Sequence, residues 1–190
     1  MTDVSHFRSQ FGKGFARTNR FQVLIHPYTG IISSTGTAVG WGTTSANAQI
    51  NRKLQFMAHE ASVPSRSIET SELRYYGPDF SVGIHGSADP ITISFYNQDN
   101  MDVASYFHSW LDFIQGGFTY DFAFPDEYVT SIEIEKLNDI GKVVQRATLL
   151  KAFPVTIMEM QYLWGDDSPS VTKVQFQFTD FSVEPVEENE

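Results

Sequence analysis

The stretch Tyr128-Val129-Thr130-Ser131-Ile132-Glu133-Ile134-Glu135-Lys136-Leu137-Asn138-Asp139-Ile140-Gly141, with the run Val143–Leu150 behind it, decides the fold. Tyr128, Thr130, Ile132 and Ile134 oppose Val129, Ser131, Glu133 and Glu135, the period of two that gives a strand one buried and one wet face. Asn138-Asp139-Ile140-Gly141 supplies turn residues, so the segment reads as a hairpin returning through Val143–Leu150. The same alternation recurs outward. Ile91, Ile93 and Phe95 alternate with Thr92, Ser94 and Tyr96, and Val174, Phe176 and Phe178 with Gln175 and Gln177. Phe21-Gln22-Val23-Leu24-Ile25 is a first strand, ended by Pro27. From Lys53 the chain also reads as β, Leu54, Phe56 and Ala58 alternating with Gln55, Met57 and His59. Val63-Pro64 and Gly77-Pro78 bracket an extended polar segment, Ser65 to Tyr76. The reading yields about seven or eight strands.

One segment breaks this rhythm. Val103, Phe107, Trp110, Leu111 and Ile114 fall on a single helical stripe, predicting a helix over about residues 101–115. Asn100 is the expected cap, Asp102 suits the positive end of the helix dipole, and Gly116-Gly117 ends it. The apolar face needs a partner, and the only large one is the sheet. The expected class is mainly β, a sandwich or barrel with one packed helix.

The chain has 190 residues, 41% of them hydrophobic and 19% charged, enough for one domain with a real core and too little charge for disorder. It has no cysteine, which excludes disulfide scaffolds, thiolate metal sites and cysteine nucleophiles. With 23 Asp and Glu against 13 Lys and Arg, the net charge of −10 argues against gripping nucleic acid through its phosphates. No apolar run approaches the length of a membrane span or a leader's apolar core, so neither membrane insertion nor a targeting segment is expected.

Three segments stand apart within the single domain spanning 1–190. Residues 1–19 are an N-terminal arm carrying Phe7, Arg8, Phe11, Phe15 and Arg17. The phenylalanines are spaced as one helix face requires, but Gly12 and Gly14 interrupt them. The arm reads either as a frayed terminus or as a segment that orders against a neighbouring subunit. Residues 29–51, rich in Gly, Ser and Thr, read as an exposed hairpin or an insertion, and otherwise as a linker. Residues 183–190 form an acidic tail.

Enzyme signatures are thin. The histidines at 6, 26, 59, 85 and 108 show no compact ligand spacing, and no phosphate-cradling or dinucleotide glycine pattern is present. Ser170-Val171-Thr172-Lys173 matches S-x-x-K only on paper, since successive strand side chains diverge. No metal, cofactor or catalytic residue is expected. Glu133 and Glu135 share the polar face of a strand, whose plain reading is a solvated surface. Assembly is better supported: 14% of residues are aromatic, and a many-stranded protein must cover or pair its edges.

Taken in order, several segments resemble the tail tube proteins of contractile-tailed, T-even-type bacteriophages. They are Asn19-Arg20-Phe21-Gln22-Val23, Ala61-Ser62-Val63-Pro64-Ser65-Arg66-Ser67, Tyr75-Tyr76-Gly77-Pro78 and Ile91-Thr92-Ile93-Ser94-Phe95. After them come Phe107-His108-Ser109-Trp110-Leu111-Asp112-Phe113-Ile114, Tyr128 to Asn138, Ala152-Phe153-Pro154-Val155-Thr156-Ile157, and Trp164-Gly165-Asp166-Asp167-Ser168. The resemblance implies a non-enzymatic virion protein related to type VI secretion tubes. It implies β-hairpins shared in a ring-wide barrel, and hexameric rings stacked into a hollow tube through which viral DNA passes without specific binding. Implied partners are further copies of itself, the tail sheath protein, and baseplate and tail-terminator proteins, with assembly in the host bacterial cytoplasm. Glu133 and Glu135 then become candidates for lumen-facing carboxylates. Ser65, Arg66, Glu69, Glu72, Arg74, Tyr75, Tyr76, Gly77 and Pro78 become a candidate inter-subunit loop, and Phe7, Arg8, Phe11, Phe15 and Arg17 a candidate inter-ring arm. The 29–51 stretch and the extended termini leave open a specialised baseplate-proximal or tube-initiating ring of the same fold. A β-rich enzyme or ligand-binding domain is the remote alternative.

Overall fold

The alternating segments become strands and the striped segment a helix in a computed structural model, which describes residues 16–28, 44–74, 76–77, 79–116, 121–165 and 167–186. In chain order the elements are β1 (Phe21–Ile25), α1 (Thr44–Met57), β2 (Ala58–Ala61), β3 (Arg66–Leu73), β4 (Phe80–Ala88) and β5 (Ile91–Tyr96). There follow α2 (Asp102–Ile114), α3 (Pro125–Tyr128), β6 (Thr130–Leu137), β7 (Val143–Ile157), β8 (Val171–Gln177) and β9 (Asp180–Pro185).

The strand β7 organises the molecule. Its first part pairs with β6 on one side and β9 on the other, and its last part pairs with β8. The corner falls at Lys151, whose φ of 53° is the left-handed conformation a non-glycine residue adopts only where the surroundings enforce it. Just beyond, Pro154 has no N–H for the ladder, and the register shifts between Pro154 and Thr156. Two antiparallel layers result, β1-β6-β7-β9 and β7-β8-β5-β2.

The facing sides of these layers are the core. Val23, Ile25, Ile132, Ile134, Ala147 and Leu149 come from one, and Ile91, Ile93, Phe95, Val174 and Phe176 from the other, all buried. The α2 helix adds Val103, Tyr106, Phe107, Trp110 and Ile114. Trp110 is completely buried; its Nε1–H donates to the Tyr128 carbonyl at 3.1 Å, and its ring stacks on Tyr28 at 4.8 Å. A buried indole keeps its apolar contribution only when that donor is satisfied.

Several expectations need correction. The sheet path is open, running from β1 to β2, so the described residues close no barrel within one chain. The described residues hold three helices, not one. Lys53–Met57 is helix, because Ile50 and Leu54, four apart, bury one face while Phe56 is 70% exposed. The Gly/Ser/Thr-rich stretch therefore ends in α1 from Thr44, and its residues 29–43 lie outside the described residues. Asn100 does not cap α2: Met101 holds the cap position with φ 52°, and Asn100 donates to Asp102 at 2.6 Å. Nine strands are described rather than seven or eight, because Phe80–Ala88 is a strand and Val183–Pro185 of the acidic tail completes β9.

Candidate assembly surface

The β3–β4 hairpin stands on its own. Its eight registered pairs run from Arg66 opposite Ala88 to Leu73 opposite Phe80. Every residue of the two strands except Ser71 and Ala88 is exposed. A two-stranded ribbon is marginally stable in water, and this one also shows apolar side chains. Ile68 is 67% and Ile84 66% exposed, with Leu73, Phe80 and Val82 beside them and Tyr76 fully open at the tip.

Of the loop residues expected to reach another subunit, Ser65 and Arg66 form the root. Ser65 Oγ donates to Asp89 at 3.2 Å. The Arg66 guanidinium lies 4.9 Å over the Phe181 ring and donates to the Phe181 carbonyl at 3.4 Å, tying the ribbon to β9. Glu69 and Glu72 project from β3 into solvent. Near the tip, Arg74 Nε and Nη2 donate to the two Asp79 oxygens at 2.7 and 2.9 Å. That fork raises the Arg74 guanidinium and holds the Asp79 carboxyl below its ordinary range. Gly77, at φ 133°, makes the turn. Tyr75 and Pro78 lie outside the described residues, as do Phe7, Arg8, Phe11 and Phe15 of the arm. Arg17 is described: it is exposed and pairs with Asp139 at 3.5 Å.

The second surface is the outer face of the β1-β6-β7-β9 layer. Directly opposed residues share a face. Gln22, Glu135, Arg146 and Glu184 therefore make one row, and Leu24, Glu133, Thr148 and Ser182 the next. Glu133 and Glu135 do share the side away from the core, but neither is a bare carboxylate. Arg146 reaches Glu135 at 2.7 Å and Glu133 at 3.2 Å, His26 meets Glu133 at 3.0 Å, and the Gln22 amide donates to Glu135. Glu135 is buried beneath these groups, and its hydrogen bond is the main cause raising the Arg146 guanidinium. The exposed acids of this face are Asp180 and Glu184 on β9.

The sequence reading missed three of these features. Arg146 was reachable: the hairpin register needs only the turn at Asn138–Gly141 to place it beside Glu135. The second strand of the exposed ribbon was signalled by Phe80, Val82 and Ile84 alternating with Ser81, Gly83 and His85. Asp180 carried no such signal.

Among the described residues, no cluster of three or more His, Asp or Glu could hold a metal ion. No curated protein matches the sequence. Among solved structures, the tube-terminating cap of the anti-feeding prophage has a similar fold, with a TM-score of 0.61 at 16% identity over 90% of this chain and 92% of that one. A chain of the sheath–tube complex of an extracellular contractile injection system, PVC, in its extended state gives 0.61 at 16% identity over 94% and 97%. The anti-feeding prophage baseplate gives 0.57 at 15% identity over 90% and 95%. The family model described as phage tail tube protein matches residues 16–184, and with that span covered the chain belongs to the phage tail tube protein family, a structural subunit of a virion tail tube.

Proposed function

We propose that copies of this chain form hexameric rings that stack as the inner tube of a contractile tail, with the β1-β6-β7-β9 layer facing the lumen. One observation carries the reading. That layer has four antiparallel strands, and its outer strands, β1 and β9, each pair with a single neighbour. An even number of alternating strands leaves β9 of one copy antiparallel to β1 of the next, so the layer can continue from subunit to subunit and lose its edges in a ring. The β3–β4 hairpin, exposed along nearly all of both strands, is the second contact between copies. The outer face, with Glu133, Glu135, Asp180 and Glu184 against Arg146, would repel phosphate and let DNA slide. A sheath around the tube, and baseplate and terminator proteins at its ends, are the partners this role requires; assembly takes place in the host cytoplasm.

Electron microscopy of the purified protein tests the reading: six-fold rings or tubes are expected, and a monomer by sedimentation at high protein concentration in several salts would overturn it. The likeness to both a cap and a baseplate chain favours a second reading, a specialised ring at one end of the tube. Tube length in the micrographs separates the two.

A further inference from the structure

Opposed residues of a two-stranded ribbon share a side, and the register of the β3–β4 hairpin puts apolar groups on both sides. The extra residue at its one bulge, Ile84, lies on β4, so the alternation along β3 holds throughout. Arg66, Ile68, Thr70 and Glu72 therefore stand on one side. Leu73 stands on the other with its partner Phe80, as does Val82, the partner of Ser71. The first side is nearly flat around Ile68. Gly86 lies directly opposite, and a Cβ on Gly83 would come within 3.0 Å of Ile68 Cγ2. Leu73, Phe80 and Val82 make the second side uneven.

One neighbour can cover one side of a ribbon, not both. The root shows which neighbour each side meets. Arg66, on the Ile68 side, lays its guanidinium 4.9 Å over the Phe181 ring and donates to the Phe181 carbonyl, so that side is turned towards β9. In the ring reading above, on which this step rests, β9 is the edge joined by the next copy. The hairpin also reaches about 25 Å beyond its root, enough to overlie a second subunit. We infer that it is held between two different copies of the chain. Its Ile68 side packs on the copy joined at β9 within the ring, and its Leu73, Phe80 and Val82 side packs on a copy in the adjoining ring.

Two variants of the full-length chain test this, because the two sides should fail at different stages. Ile68→Asp should leave mainly monomer in sedimentation, with rings reduced by about tenfold or more, as loss of an interface anchor does. Phe80→Asp with Val82→Asp should leave six-fold rings in micrographs that no longer stack into tubes. All three positions are exposed in the single chain, so both variants should keep the parent's urea midpoint. Where an aspartate lowers that midpoint, Ile68→Thr and Phe80→Thr repeat the comparison. Arrest of both variants at the same stage, the reverse order of losses, or normal tubes from either overturns the inference and leaves the ring reading standing. A parent chain that forms no rings overturns the ring reading, and the inference with it, before any variant is compared.

Discussion

Arg146 shows how little freedom the acidic face has at the scale of single residues. It bridges Glu133 and Glu135, and Glu135 is buried, so removing the guanidinium leaves a carboxylate without its counter-charge. Arg146→Ala should lower the urea midpoint of unfolding. Adding Glu135→Gln should restore much of the loss, because the neutral amide no longer needs the charge; a double variant no better than the single would remove the ion pair from the account. Tyrosines provide a second prediction. Burial pushes the Tyr28 phenol from 10.0 up to about 12 and the Tyr106 phenol higher still, and the Tyr106 hydroxyl has no hydrogen-bond partner among the described residues. A phenol whose pKa is raised on folding contributes its stability fully below the unfolded value and loses it as pH rises through the folded one. Alkaline unfolding should therefore set in above about pH 10, in step with a late fraction of phenolate absorbance. Tyr28→Phe with Tyr106→Phe should move that transition to higher pH.

Individual elements separate folding from assembly. Trp110 pins α2 to the core, and Trp110→Ala should cost about 3–5 kcal/mol in denaturant titration, a large share of a domain's stability. The β3–β4 hairpin should behave in the opposite way. Ile84 is 66% exposed, so Ile84→Asp should change stability by no more than about 0.5 kcal/mol while abolishing higher-order species in sedimentation. Loss of both together would mean that the hairpin stabilises the monomer. The same contrast explains what was legible from the chain. Strands β1, β5, β6, β7 and β8 and helix α2 could be read because each buries one face against this chain's own core, and burial imposes the period. The α1 helix could not, since Leu54, Phe56 and Ala58 fit a strand over a short window and only the burial of Ile50 with Leu54 decides for the helix. The acids of β9 hid a strand, because Asp180, Ser182 and Glu184 face away from the core while only Phe181 is buried. The two prolines bracketing Ser65 to Tyr76 announced an extended polar segment but not its exposed apolar partners on β4, which no burial against the described core orders.

On the scale of the whole molecule, the question is where the net charge of −10 acts. Glu133 and Glu135 are held by Arg146 and His26, so reversing them would break the sheet's own network and confuse folding with function. Asp180 and Glu184 share that face and are exposed, opposite Leu150 and Arg146 on β7. If the face lines a lumen, Asp180→Lys with Glu184→Lys should leave rings visible by microscopy yet turn a repelling wall into one that holds phosphate. Assembled variant tubes should then retain DNA that the parent protein releases, and the retention should weaken steeply as salt rises, because such binding is driven by counterion release. Tubes that assemble normally and bind no DNA at low salt would place these carboxylates away from the channel, and with them the whole β1-β6-β7-β9 face. The ring argument from open strand edges would survive that outcome; the orientation of the layer within the ring would not.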